Sequence, residues 1–322
     1  MAILSKMYFN AVFGALGGLL GWMLFGVLGD RAPSDQEAAF LFLTKLDVNL
    51  LLGGAIIGGS IGYFVVGVEA IRDESLVRFV RLASYGVLIA LVGGAIGMYI
   101  GDRLNQLLVT LVGDFLVLTL LARGLGWSLL GVGIGCSEGI AARSLGKFSY
   151  GTLGGLLGGF IGGVVFEIFY YFASREGATT YFWSALGLVI VGACIGSLSA
   201  FVQSVFLPAN LKVMRGWQEG REYPLDKPET LIGRDEHADI ALFRDMKVEK
   251  KHCFVHQIDG AYYLVNNGAP PEQTLVNDVP VVTQVELHDG DRIQLGSIIL
   301  KFQLRAAVVR PKRTPAATPG GS

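Results

Sequence analysis

Charge is scarce in this chain. Only 16% of its 322 residues are Asp, Glu, Lys or Arg, against about 25% in ordinary soluble domains. The formal net charge is −1, which removes the broad basic field that would draw nucleic acid. Cysteine is scarcer still. Cys136, Cys194 and Cys253 are odd in number and unpaired in spacing, which argues against a disulfide framework and for reduced, buried thiols. The four histidines, His237, His252, His256 and His288, have no partners at zinc-ligand spacing. No metal or other cofactor is expected. No Gly-x-x-x-x-Gly-Lys loop is present, and the many glycines do not follow strands, so a nucleotide site lacks its context. No Ser/His/Asp or Cys/His set stands near a plausible cleft. An enzyme is not expected. The ten prolines all lie outside the long apolar runs, so no pair of proline-broken membrane helices exists.

Apolar residues and glycine are abundant. The hydrophobic share is 52% and the mean hydropathy is +0.52, which places the chain in the membrane class. Six apolar segments, near 8–28, 48–68, 82–101, 125–142, 149–172 and 182–206, are long enough to cross about 30 Å of hydrocarbon. The first lacks a cleavage site and reads as a retained helix. An all-α transmembrane bundle is therefore expected over 1–206. Residues 104–122 carry Leu104, Leu107, Leu108, Leu111, Phe115 and Leu118 at helical spacing, with polar residues between. That pattern predicts an amphipathic helix lying in the outer interface.

Loop charges orient the spans. Lys6, Arg72, Arg78, Arg81, Arg143, Lys147, Lys212 and Arg215 fall on one side; Arg31, Lys45, Arg103, Arg123 and Arg175 fall on the other, beside Asp30, Asp35, Glu37, Asp102 and Asp114. The basic excess predicts cytoplasmic N- and C-termini.

The 45 glycines are about twice the usual share. They recur at four-residue spacing, as in Gly54, Gly58 and Gly62, Gly93, Gly97 and Gly101, or Gly131, Gly135 and Gly139. Each set forms one helical stripe that lets backbones approach closely. The stripes predict a tight bundle, hint at internal duplication, and are compatible with self-association. Glu138 and Glu167 lie within spans. They are candidates for a polar path across the bilayer. The alternative is that Glu138 reaches the interface with Arg143, while Glu167 pairs with a base on a neighbouring helix.

After Phe206, Pro208 ends the helical run and residues 207–220 read as a linker, with Trp217 at headgroup level. Over 221–306 short β runs alternate with turn signals: Asp259-Gly260, Asn267-Gly268, Asn277-Asp278 and Asp289-Gly290. Such spacing predicts an all-β sandwich. Residues 307–322 read as a disordered tail, in which Thr314 and Thr318 precede proline.

Four segments of this sandwich carry a family likeness. They are Ile232-Gly233-Arg234, the run Asp245 to His252, Thr274-Leu275-Val276-Asn277, and Leu287 to Gly296 with Gly290-Asp291. In this order they resemble the motifs of the forkhead-associated (FHA) domain, whose loops bind phosphothreonine peptides. The resemblance implies a phosphopeptide site of Arg234, Lys247, Glu249, Lys250, Lys251 and Asn277. It implies structural roles for Gly233, His252, Gly290 and Asp291. The chain departs from the family at Glu249, where a serine would cap the phosphate, and at Glu272-Gln273, where Asn-Gly is usual. An ionised carboxylate cannot donate to phosphate and repels its charge. The function expected is a membrane-anchored adaptor in signalling or assembly, binding a phosphothreonine-containing partner protein. The alternatives are a phosphorylation-independent interaction domain, and a small transporter or channel regulated by the sandwich.

Overall fold

The computed structural model describes residues 2–29, 48–72, 76–113, 115–175 and 180–304. The 307–322 tail, the loop residues Asp30, Arg31, Asp35, Glu37 and Lys45, and Asp114 lie outside them. The chain divides into two compact units, Met1–Phe206 and Leu207–Ser322.

Among the described residues the first unit holds six helices: α1 Ala2–Gly29, α2 Val48–Arg72, α3 Leu76–Val112, α4 Leu116–Ala142, α5 Leu145–Arg175 and α6 Thr180–Phe206. All six are long and apolar enough to cross a membrane. Glycine is a poor helix former in water. In hydrocarbon an unpaired backbone amide costs more than the glycine does, so these segments are helical all the same. Each helix packs on the next in the chain, and α6 packs on α1, closing a ring. Glycines meet backbone at the crossings. A Cβ on Gly14 would strike the Gly192 carbonyl, one on Gly131 the Gly155 carbonyl, and one on Gly135 the Gly151 carbonyl.

Ile57, Ile61 and Val65 of α2, Ala90 of α3, Trp127, Leu130 and Ile134 of α4, and Leu188, Val191 and Ile195 of α6 form one buried apolar cluster. Trp22, packed against this cluster, donates to Ser184 Oγ (3.1 Å), and the charged side chains make two further groups of contacts. In one, Lys6 donates to Gln203 (3.2 Å) and Gln203 donates to Glu138 (2.7 Å). In the other, Arg123 stands between Asp102 (3.9 Å) and Glu167 (3.7 Å). Arg123 and Glu138 are fifteen residues apart on α4, or about 22 Å. Glu138 and Glu167 therefore belong to separate networks. Glu138 is buried in the bundle, where it accepts from Gln203. Glu167 faces a base on the neighbouring helix.

Residues 104–122 do not form an interfacial helix of their own. Residues 104–112 extend α3, the chain turns at Gly113 (φ +96°), and 116–122 open α4. Asp102, Arg103, Gln106 and Thr110 bond along α3, while the buried Asn105 Oδ1 has no hydrogen-bond partner among the described residues. Gln106 donates to Asp102 (2.7 Å), Arg103 to Gln106 (2.9 Å), and Thr110 to the Gln106 carbonyl (2.7 Å).

The second unit holds two packed sheets. One has the order β2-β1-β11-β10-β7-β8, with β1 Ala209–Arg215, β2 Glu222–Pro224, β7 Thr274–Val276, β8 Val279–Pro280, β10 Arg292–Leu295 and β11 Ile298–Leu304. The other has the order β4-β3-β5-β6-β9, with β3 Glu229–Gly233, β4 Ile240–Ala241, β5 Cys253–Ile258, β6 Ala261–Asn266 and β9 Gln284–Leu287. Alternate residues such as Leu211, Val255, Leu264, Ile293 and Phe302 fill the space between them. This is an FHA-like β-sandwich.

The stretch 207–220 is not a linker. It contains β1, which pairs with β11 from Ala209↔Leu304 to Arg215↔Ile299. Leu211 and Val213 enter the core from it. Trp217 sits in the turn after β1, where the Arg244 guanidinium lies 4.1 Å over its ring and Phe243 packs 6.2 Å away.

Candidate phosphopeptide site

β3 ends at Gly233 because the backbone of the β4–β5 loop passes there. A Cβ at 233 would collide with the Lys250 carbonyl. Glycine at this point lets the Arg234 N–H donate to the Glu249 carbonyl (2.9 Å) and the Asp235 N–H donate to the Lys250 carbonyl (3.2 Å). The Gly-Arg pair is thus laced to the loop that carries Glu249, Lys250 and Lys251.

His252 holds that loop from inside. Its ring is fully buried. Nδ1 accepts the Glu249 N–H (3.0 Å), which leaves the proton on Nε2, 2.9 Å from Thr274 Oγ1. Burial, the largest influence, depresses the His252 pKa below the usual imidazole value and keeps the ring neutral. Thr274 opens β7, so one histidine ties the β4–β5 loop to the β6–β7 loop. Asp245 adds a second tie. Its carboxylate accepts the N–H of Lys247 (3.0 Å) and of Ser297 (2.6 Å), the latter in the β10–β11 turn. Asn267 Nδ2 donates to the Lys251 carbonyl (2.9 Å), and the Gly296 N–H donates to the Gln273 carbonyl (3.0 Å). Four loops therefore meet at one end of the sandwich.

The Arg234 side chain stands at this end. Nη1 lies 3.2 Å from Met246 Sδ. Nε is buried and has no hydrogen-bond partner among the described residues. A guanidinium engaged with a weak thioether acceptor keeps most of its donor fork for an anion. Lys247, Glu249, Lys250, Lys251 and Glu272 are exposed around it. Asp235 is held below the ordinary carboxylate range, first by the His237 N–H and then by the His237 ring, with a contribution from Lys250. Lys250 thus acts partly on Asp235.

Asn277 is not brought to this group. It lies at the far end of β7 from Thr274, three residues or about 10 Å along the strand. Its φ is +49° and that of Asp278 is +65°. Asn277 Nδ2 donates to Asp291 Oδ1 (2.9 Å), and its Oδ1 accepts the Arg292 N–H (2.9 Å). Asp291 also accepts the His288 N–H (2.6 Å), and the Gly290 N–H (φ +90°) donates to the Phe302 carbonyl (2.9 Å). Asn277, Gly290 and Asp291 form a turn-locking unit. The reading from sequence gave no role to the ties made by Asp245, Asn267 and Thr274. Their signals are a lone aspartate in a turn, an Asn-Gly pair and a single threonine, none of which names its distant partner.

Cys253 is fully buried in β5, and burial pushes its thiol pKa far up. It is a core residue. Among the described residues no group of three His, Cys, Asp or Glu side chains could hold a metal ion.

Known proteins resemble the C-terminal part of this chain. Residues 212–306 match a family model described as the cytoplasmic domain of an inner membrane component of the T3SS. An oxoglutarate dehydrogenase inhibitor from Corynebacterium diphtheriae is 34% identical over 110 residues, covering 33% of this chain and 75% of that protein. The glycogen accumulation regulator GarA of Mycolicibacterium smegmatis is 36% identical over 94 residues, 29% of this chain and 58% of that one. A solved structure from work on phosphothreonine-dependent FHA domain interactions is 28% identical, with TM-score 0.28, and covers 30% of this chain and 97% of that one. Through its C-terminal third, the chain belongs to the family of the oxoglutarate dehydrogenase inhibitors.

Proposed function

We propose that this protein is a membrane-anchored adaptor whose FHA-like domain binds a phosphothreonine-containing partner at the cytoplasmic face. The observation that carries the reading is Arg234. Its backbone is clamped to Glu249, while its guanidinium meets only Met246 among the described residues. A fork held in place and left open suits a phosphate through charge-assisted, paired hydrogen bonds. Lys247, Lys250 and Lys251 add positive charge on the same loop. The test is titration of the full-length protein in detergent with a degenerate phosphothreonine peptide library and its unphosphorylated twin. Micromolar binding that needs the phosphate supports the adaptor.

A second reading is favoured by one residue. Glu249 replaces the hydroxyl that would cap the phosphate, so the domain would bind its partner without phosphorylation. Equal binding of both libraries is its signature. The transport reading has less to stand on, since Glu138 and Glu167 sit in two separate networks.

A further inference from the structure

The rim of the site carries two carboxylates that the phosphate reading leaves unexplained. Glu249 belongs to the β4–β5 loop, and its N–H is fixed on His252 Nδ1 at 3.0 Å. Glu272 lies two residues before Thr274, in the short 3-10 turn Pro271–Gln273. The 2.9 Å contact between His252 and Thr274 ties these two loops together. Both carboxylates are exposed. Among the described residues neither is in an ion pair. The nearby cations do not cancel them by contact. Lys250 works on Asp235, Arg234 lies against Met246, and Lys247 sits on the Asp245 turn.

Resting on the phosphate reading, we propose that the partner presents a basic side chain beside its phosphothreonine, and that Glu249 and Glu272 select it. A dianionic phosphate brought to Arg234 is repelled by both carboxylates. A ligand that carries its own cation next to the phosphate turns that repulsion into attraction. An acidic neighbour adds to the repulsion instead. The site then discriminates by charge pattern, rejecting acidic phosphopeptides as well as favouring basic ones.

The test uses the full-length protein in detergent and three fluorescent peptides that differ only in the residues flanking phosphothreonine: Lys, Ala or Glu. Exposed pairs are worth little, so the expected order is Lys over Ala over Glu by roughly two- to fivefold per step at low salt. The order compresses as salt rises. In the Glu249→Gln, Glu272→Gln variant the order flattens, with the Glu peptide gaining most. Phosphate-dependent binding whose order is the same in the native protein and the variant would overturn this inference while leaving the phosphate reading in place. Equal binding of the unphosphorylated peptides would overturn the phosphate reading and this inference with it.

Discussion

The buried imidazole of His252 joins Thr274 across two loops, Nε2 to Oγ1 at 2.9 Å, while its Nδ1 accepts the Glu249 N–H at 3.0 Å. The bond at Nδ1 requires the neutral ring, because a protonated Nδ1 cannot accept. Its folded pKa is depressed by burial, while the unfolded value is near 6.5. Below about 6.5 the unfolded chain therefore binds a proton that the folded domain refuses. Stability from this residue is complete above that pH and falls as pH drops toward the folded value. Urea unfolding of the sandwich between pH 7.5 and 5 should show this loss. His252→Gln should remove that part of the pH dependence and cost about 2 kcal/mol, as two buried hydrogen bonds go. An unaltered slope would show that His252 is not the group responsible.

The strand β1 sets where the soluble domain starts. Ala209, Leu211 and Val213 are buried, and β1 separates β2 from β11. A fragment of residues 207–304 should unfold cooperatively. A fragment of 218–304 loses those three side chains from the core and opens the β11 edge. It should lack a cooperative transition or aggregate, which circular dichroism and size-exclusion chromatography would report.

The glycine stripes make unequal predictions. A methyl at Gly135 meets the Gly151 backbone, whereas one at Gly53 meets the edge of the Phe25 ring, 2.9 Å from Cε2. Backbone on a packed helix yields less readily than a ring that can turn. Gly135→Ala should destabilise the bundle by about 1–3 kcal/mol, and Gly53→Ala by less. Thermal unfolding in one detergent compares them. Equal effects would mean that close helix approach does not govern the bundle.

Most of the architecture is legible in the sequence, for physical reasons that also explain the gaps. Six apolar runs specify six helices because lipid leaves the backbone no alternative. Their ends are less visible. Gln106 and Thr110 look like part of an interfacial face, yet Gln106 bonds back to Asp102 and Thr110 to the Gln106 carbonyl along α3. β1 escapes notice because Ala209-Asn210-Leu211-Lys212-Val213 is short, follows a proline and contains a lysine. Its identity depends on β11, some ninety residues away. In the site, Gly233-Arg234 and His252 are readable as motif residues. Asn277 is readable too, but only its hydrogen bonds to Asp291 and Arg292 place it at the far end of β7.

Topology gives another expectation. Thr110 and Ser297 are both exposed, and the loop charges predict that they lie on opposite sides of the membrane. In Thr110→Cys, an impermeant maleimide should label intact cells. In Ser297→Cys, labelling should require permeabilisation. The reverse pattern would place the sandwich outside the cell.

The central claim is that Arg234 reads phosphate, and its most direct test is one titration. A phosphothreonine peptide selected from the library should bind the full-length protein in detergent, and Arg234→Ala should weaken it at least about tenfold, since hydrogen bonds to a charged group are worth about 1.5–3 kcal/mol. Undiminished affinity in Arg234→Ala, with the domain still folded, would contradict the account.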